Sequence, residues 1–127
     1  MNNQLKSKTR LAYIQIIFQH LSTKNNILDI YNEFNIHYKG EIISTFRSKE
    51  KIIFKFNSNF LKRLVDSYIL YTKNNNYLIN INSIINFNRK FQKWDLINQS
   101  IFLATISEIK QSEFSMTKII FNDYLNI

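Results

Sequence analysis

A chain with one glycine, Gly40, and no proline has few ways to turn sharply. Tight β-hairpins draw on glycine for positive φ, so a sandwich or barrel of many short strands is disfavoured. Glycine-rich phosphate loops of the P-loop or dinucleotide-binding type are excluded. Cysteine is absent too, which excludes disulfides, thiolate metal sites and cysteine nucleophiles. The 127 residues are enough for one domain with a real core, and 45% hydrophobic against 20% charged content is that of a globular chain. The expectation is an all-α helical bundle, one domain over residues 1–127.

Ile and Asn are mediocre helix formers, so periodicity is the better guide. From Leu5 to Leu21, the residues Leu11, Ile14, Ile17, Phe18 and Leu21 recur at helical steps and predict one apolar stripe. Lys6 and Arg10 border that stripe, and Phe18 is expected in the core unless it serves a ligand. A polar break at 22–26 precedes a second helix, Ile27 to Tyr38, with Asn25 or Asn26 as its cap and Gly40 as its stop. Residues 41–57 fit a strand pair or an irregular helix. A lone hairpin is marginal, so they are read as an extended connection with a helical turn. A third helix starts at Ser58 or Asn59, and a fourth carries Tyr77, Leu78, Ile81, Ile84 and Ile85. Trp94 to Ile109 is apolar almost all round, which predicts a central helix capped by Asp95. Ser115 opens the last helix. The layout is N-terminal helices over about 5–38, a connection over about 39–57 and a C-terminal helical part over about 58–127.

Seventeen Lys and Arg against nine Asp and Glu give a net charge of +8, which attracts phosphate or an anionic surface. Part of this is compositional. There are 22 Ile and 18 Asn but 2 Ala, the skew of an AT-rich coding sequence, so some Lys and Asn residues are expected to carry no role. No segment approaches the roughly 18 apolar residues of a membrane span, and residues 1–10 lack the pattern of a leader. The expected location is cytoplasmic.

The residues do not assemble an enzyme. His20 and His37 lie in different helices without ligand spacing, Asp29 and Glu33 fit a solvated helix face, and Glu108 is expected to make a structural hydrogen bond. No catalysis, cofactor or metal is expected. Lys6, Lys8 and Arg10, followed by Gln15, Phe18 and Gln19, are more suggestive. Cations hold phosphates while Gln and aromatic rings meet unpaired bases, a mixture suited to single-stranded RNA.

Three segments resemble the NusB family of bacterial transcription antitermination factors. KSKTRLAYIQIIFQ, Lys6 to Gln19, is similar to the family's basic opening. WDLINQSIFLATISEI, Trp94 to Ile109, is similar to its central helix, with Glu108-Ile109 for the closing Glu-Leu pair. MTKIIFNDYLNI, Met116 to Ile127, resembles its Pro-aromatic-Lys and Asn-Glu stretch, with Lys118, Asn122 and Asp123 in place. FLKRLV, Phe60 to Val65, fits the opening of the middle helix, and the long connection resembles alphaproteobacterial members.

The resemblance implies a NusB-like bundle of two packed helical subdomains without catalysis. It implies pairing with NusE, a small-subunit ribosomal protein, on boxA-type single-stranded RNA. There the pair serves the RNA polymerase antitermination complex and ribosomal RNA transcription. It implies that Lys6, Lys8 and Arg10 hold phosphates, that Gln15, Phe18 and Lys118 join the RNA face, and that Glu108 and Asn122 are structural. The NusE-facing surface falls at Gln92, Asp95 and Asn98, where Gln92 and Asn98 replace family acids. Met116, Thr117 and Leu103 replace the family's Pro, aromatic and Arg. The family continues into a final basic and aromatic helix, whereas this sequence ends at Ile127, C-terminally short of it. That departure keeps a second reading in view, a NusB-fold protein-interaction module without specific RNA binding. It also leaves a homodimer open. On the first reading, Arg10→Ala weakens RNA binding while the domain stays folded.

Overall fold

A computed structural model describes residues 1–38, 41–44, 52–85 and 88–127. Among them are six helices: α1 (Asn3–Thr23), α2 (Ile27–Tyr38), α3 (Ser58–Thr72), α4 (Tyr77–Ile84), α5 (Leu96–Gln111) and α6 (Thr117–Leu125). Two short strands, β1 (Glu41–Ser44) and β2 (Ile52–Lys55), pair antiparallel between α2 and α3, with Glu41 opposite Lys55 and Ser44 opposite Ile52. The fold is all-α with this one small ribbon. At 41–44 and 52–55 the segment takes the strand-pair alternative rather than a plain extended connection, and residues 45–51, where a helical turn would have to fall, lie outside the described residues. β2 packs against α1 and β1 against α2, so the strand pair leans on helices rather than standing alone. The expected stop at Gly40 lies outside the described residues.

Asparagine supplies the punctuation that glycine and proline supply elsewhere. Asn2 Oδ1 accepts from Leu5 N at 2.7 Å to start α1, Asn26 Oδ1 from Leu28 N at 2.9 Å at α2, and Asn57 Oδ1 from Phe60 N at 2.8 Å at α3. Asp95 does the same for α5, accepting from Asn98 N at 2.8 Å. Asn82 organises the turn before α5. Its Oδ1 accepts from Phe91 N, and its Nδ2 donates to Gln92 Oε1 and to the Leu78 carbonyl. Several of the asparagines therefore have assignable structural work, which narrows the compositional reading. The α1–α2 turn shows the cost of lacking glycine. Lys24 takes the left-handed position at φ 61, a conformation worth roughly 1–2 kcal/mol of strain in a non-glycine residue. Its N–H closes on the His20 carbonyl at 2.9 Å, and the His20 ring meets the Asn25 carbonyl at 2.6 Å.

The core lies where α1, α3 and α5 meet, with α2 and α6 packed on its flanks. Ala12 and Ala104 are the chain's two alanines. Both are fully buried, one on each of the two helices that pack most extensively together. Ser100 and Ser107 share the buried side of α5 with Leu103 and Ala104. Short side chains let the α1 and α5 backbones approach, and the serine hydroxyls are satisfied by the Leu96 and Ala104 carbonyls and by Tyr13. α1 buries Thr9, Arg10, Ala12, Tyr13, Ile14, Ile16 and Ile17. The stripe is therefore rotated from the expected one. Ile14 and Ile17 are inside, Leu11 and Leu21 are half-buried, and Phe18 is exposed. Thr9 and Arg10, polar in sequence, take the inward places because partners meet them there.

Candidate nucleic-acid interface and its surroundings

Of the six residues expected to meet RNA, the most sequence-prominent one points inward. Arg10 has a relative exposure of 6%. Its Nε donates to Glu108 Oε1 at 2.9 Å and Oε2 at 3.2 Å, its Nη2 to Glu108 Oε2 at 2.7 Å, and its Nη1 to Asp123 Oδ2 at 2.5 Å. The guanidinium also lies 5.5 Å from the Phe60 ring centroid and 5.7 Å from that of Tyr124. Tyr124 OH donates to Glu108 Oε1 at 2.6 Å, and Ser7 Oγ to Asp123 Oδ1. One cation and two carboxylates thus tie α1, α5 and α6 together. Burial alone pulls the Arg10 pKa down, but hydrogen bonds and charge from Glu108, then Asp123, outweigh it and leave it raised. Burial, reinforced by the charge of Glu108, lifts Tyr124 well above the ordinary phenol value. Tyr13 is raised by burial, which outweighs the opposing hydrogen bond from Ser107.

Arg10 therefore does not offer its charge to a phosphate, which corrects its assignment as a surface ligand. The bidentate geometry with Glu108 occupies the fork that would otherwise grip an anion. Glu108 is buried and bonded to Arg10 and Tyr124. The expected structural role of Asn122 is carried by its neighbour instead. Asn122 is exposed, and Asp123 joins the helices.

The other five residues divide. Lys8, Gln15 and Phe18 recur at seven and three residues on the open side of α1, together with Leu11 and Gln19. Gln15 and Phe18 are exposed and Lys8 is half-buried. Lys6, also half-buried, lies on the side of α1 that holds Arg10 and Tyr13. Lys118 is exposed on α6, on the same side as Phe121 and Leu125 and away from the Asp123 contact with α1. Lys8, Gln15 and Phe18 thus form one face, with Lys118 elsewhere.

The residues expected to face a partner lie together before and at the start of α5. Gln92 is exposed and accepts from Asn82. Asp95 caps the helix, and Asn98 returns a second bond to it, Nδ2 to Oδ2 at 3.0 Å. Asp95 and Asn98 also mark one end of a groove of about 970 Å³ between α5 and α6. Its walls are Ile101, Phe102, Ile106 and Ile109 of α5, and Phe121 and Leu125 of α6, with Trp94 at the α5 N-terminal end. The sequence marked the α5 residues only as parts of a central helix and did not single out Phe121 or Leu125. Among the described residues no helix is long and apolar enough to cross a membrane, and no three His, Asp or Glu side chains gather as metal ligands.

The chain matches no family model, no curated protein and no solved structure.

Proposed function

We propose that this protein is a NusB-like RNA-binding antitermination factor. It acts by assembly, pairing with NusE on boxA-type RNA within the RNA polymerase antitermination complex. One observation carries the reading. The three segments that resemble the family form α1, α5 and α6, and these helices converge on the Arg10–Glu108–Asp123 cluster. The open side of α1 then supplies the RNA face, with Lys8 for phosphate, Gln15 for a base edge and Phe18 for stacking. Arg10 becomes the post that orients this helix.

The test is fluorescence anisotropy of a boxA-like RNA against a scrambled one, with and without NusE, at two salt concentrations. The reading expects boxA to bind more tightly and NusE to strengthen that binding. Lys8→Ala should lower the salt slope by about 0.7, the share of one single-strand phosphate contact. Phe18→Ala should cost about 1–3 kcal/mol of binding if a base stacks there. Equal, NusE-independent binding of both RNAs would overturn the reading. A second reading, an interaction module of the same fold without specific RNA binding, is favoured by the burial of Arg10. Of the three N-terminal cations, Lys8 is the one left on the open side of α1.

A further inference from the structure

The α5–α6 groove pairs an apolar floor with a cationic rim. Ile101, Ile106 and Ile109 face Phe121 and Leu125 across it. Arg89 lines one end and Lys110 the other, both exposed. Lys90 and Lys93, both exposed, neighbour Arg89 and Trp94 in sequence, and exposed Lys118 lies one turn before Phe121 on the same side of α6. The one carboxylate in the lining, Asp95, is engaged by Asn98 as the cap of α5. The α5 wall runs from Asn98 to Ile109, a span of roughly 16 Å at the helical rise of 1.5 Å per residue.

We propose that this groove docks an amphipathic helix of about three turns from an acidic protein partner, its apolar stripe on the floor and its Glu or Asp flanks against the rim cations. Length, floor and charge all point to that occupant. A second copy of this chain would bring cations to both ends of a cationic groove. Single-stranded RNA would need several open ring faces for stacking, but Trp94 and Phe102 are packed edge to face, centroids 5.8 Å apart at 90°, and Tyr124 is buried, which leaves Phe121 as the one exposed ring of the lining. The inference goes beyond the RNA reading, whose RNA face lies on α1, although the groove shares Asp95 and Asn98 with the surface expected to face NusE. The groove lies on the side of α5 opposite its buried face, and its test contains no boxA RNA or NusE.

Trp94 is the chain's single tryptophan and lines the groove, so its emission reports occupancy. Two tryptophan-free helical peptides serve as probes, sharing one Leu stripe and differing in Glu or Lys at every flanking position. The Glu peptide should shift Trp94 emission saturably, at least about tenfold more tightly than the Lys peptide. The pair Arg89→Glu and Lys110→Glu, both on the surface, should reverse that preference. Ile101→Glu should abolish binding with circular dichroism unchanged. Equal binding of both peptides, or of neither, would overturn the proposal. So would a response to polyuridylate RNA in place of the peptide, or a dimer in sedimentation that Ile101→Glu dissolves.

Discussion

The inward side of α5 carries Ser100, Ser107 and Glu108 and is buried, whereas its outward side carries Ile101, Phe102, Ile106 and Ile109 and lines an open groove. Polarity alone would have turned the helix over. Two physical conditions decide otherwise. Ser100, Ala104 and Ser107 are short, so α1 can approach. The polar atoms that approach encloses are also paired, and among the described residues no buried side-chain nitrogen or oxygen lacks a hydrogen-bond partner. The outward side meets neither condition, since α6 covers it only in part. A buried charged cluster and an exposed apolar face are the two observations that call for an explanation. On this helix the first is closed by its own partners, and the second awaits one.

The largest effect should come from breaking the closed side. Glu108→Ala strips Arg10 of its bidentate partner and Tyr124 OH of its acceptor. Removing one member of a buried pair costs about 3–5 kcal/mol, to be read from urea unfolding. Arg10→Ala should cost a similar amount by leaving Glu108 charged and buried, so its effect on RNA binding would report unfolding rather than a lost phosphate contact. The double replacement Arg10→Met with Glu108→Leu removes both charges and should cost well under the sum of the single changes. A single-variant cost below about 1 kcal/mol would mean the cluster does not hold the helices together.

Alkali attacks the same side by a different route. Tyr13, Tyr68 and Tyr124 are buried, and burial raises each phenol above its ordinary value. The unfolded chain gives up these protons near pH 10, about the ordinary phenol value. Above that pH it binds fewer protons than the folded chain, so stability falls as pH rises and is intact below. Each deeply buried phenol contributes up to about a tenfold loss in the folding equilibrium per pH unit, and the half-buried Tyr71 and Tyr77, also raised by burial, add to it. Tyr124→Phe should make that slope shallower by about one tenfold step per pH unit, measured by urea midpoints across the alkaline range. An unchanged slope would show that Tyr124 is not closed off from water.

This contrast also explains what could be read from the sequence. The helices were legible because their apolar spacing and caps are local, as at Asp95, and the six described helices lie close to their expected places. The rotation of α1 was not. Thr9 turns inward because its Oγ1 donates to the Leu5 carbonyl and accepts from Asn57 N, a contact across 48 residues. Arg10 turns inward for Glu108, which is 98 residues away. Both members of that pair stood out in the sequence, one as a surface cation and one as a structural acid, but no local pattern joins them. The groove was illegible for the opposite reason. Ile101 and Ile109 look like core in any helical projection and do pack against it, and only the placement of α6 leaves their other side half-exposed along a groove.

The smallest effect on stability should come from the open side. Phe121 is 48% exposed and Leu125 is 67% exposed, so each gives up little apolar contact when truncated. Phe121→Ala should cost about 1 kcal/mol, well under the roughly 3–5 kcal/mol of a buried phenylalanine, and Leu125→Ala less. Both variants should still abolish the Trp94 response to the Glu peptide. That pairing of a small stability loss with a complete binding loss separates a docking surface from an extension of the core. If Phe121→Ala instead destabilised as strongly as Glu108→Ala, α6 would be packing over α5 in solution and the groove would be closed. The two sides of α5 would then differ in chemistry but not in exposure, and the apolar side would need no partner.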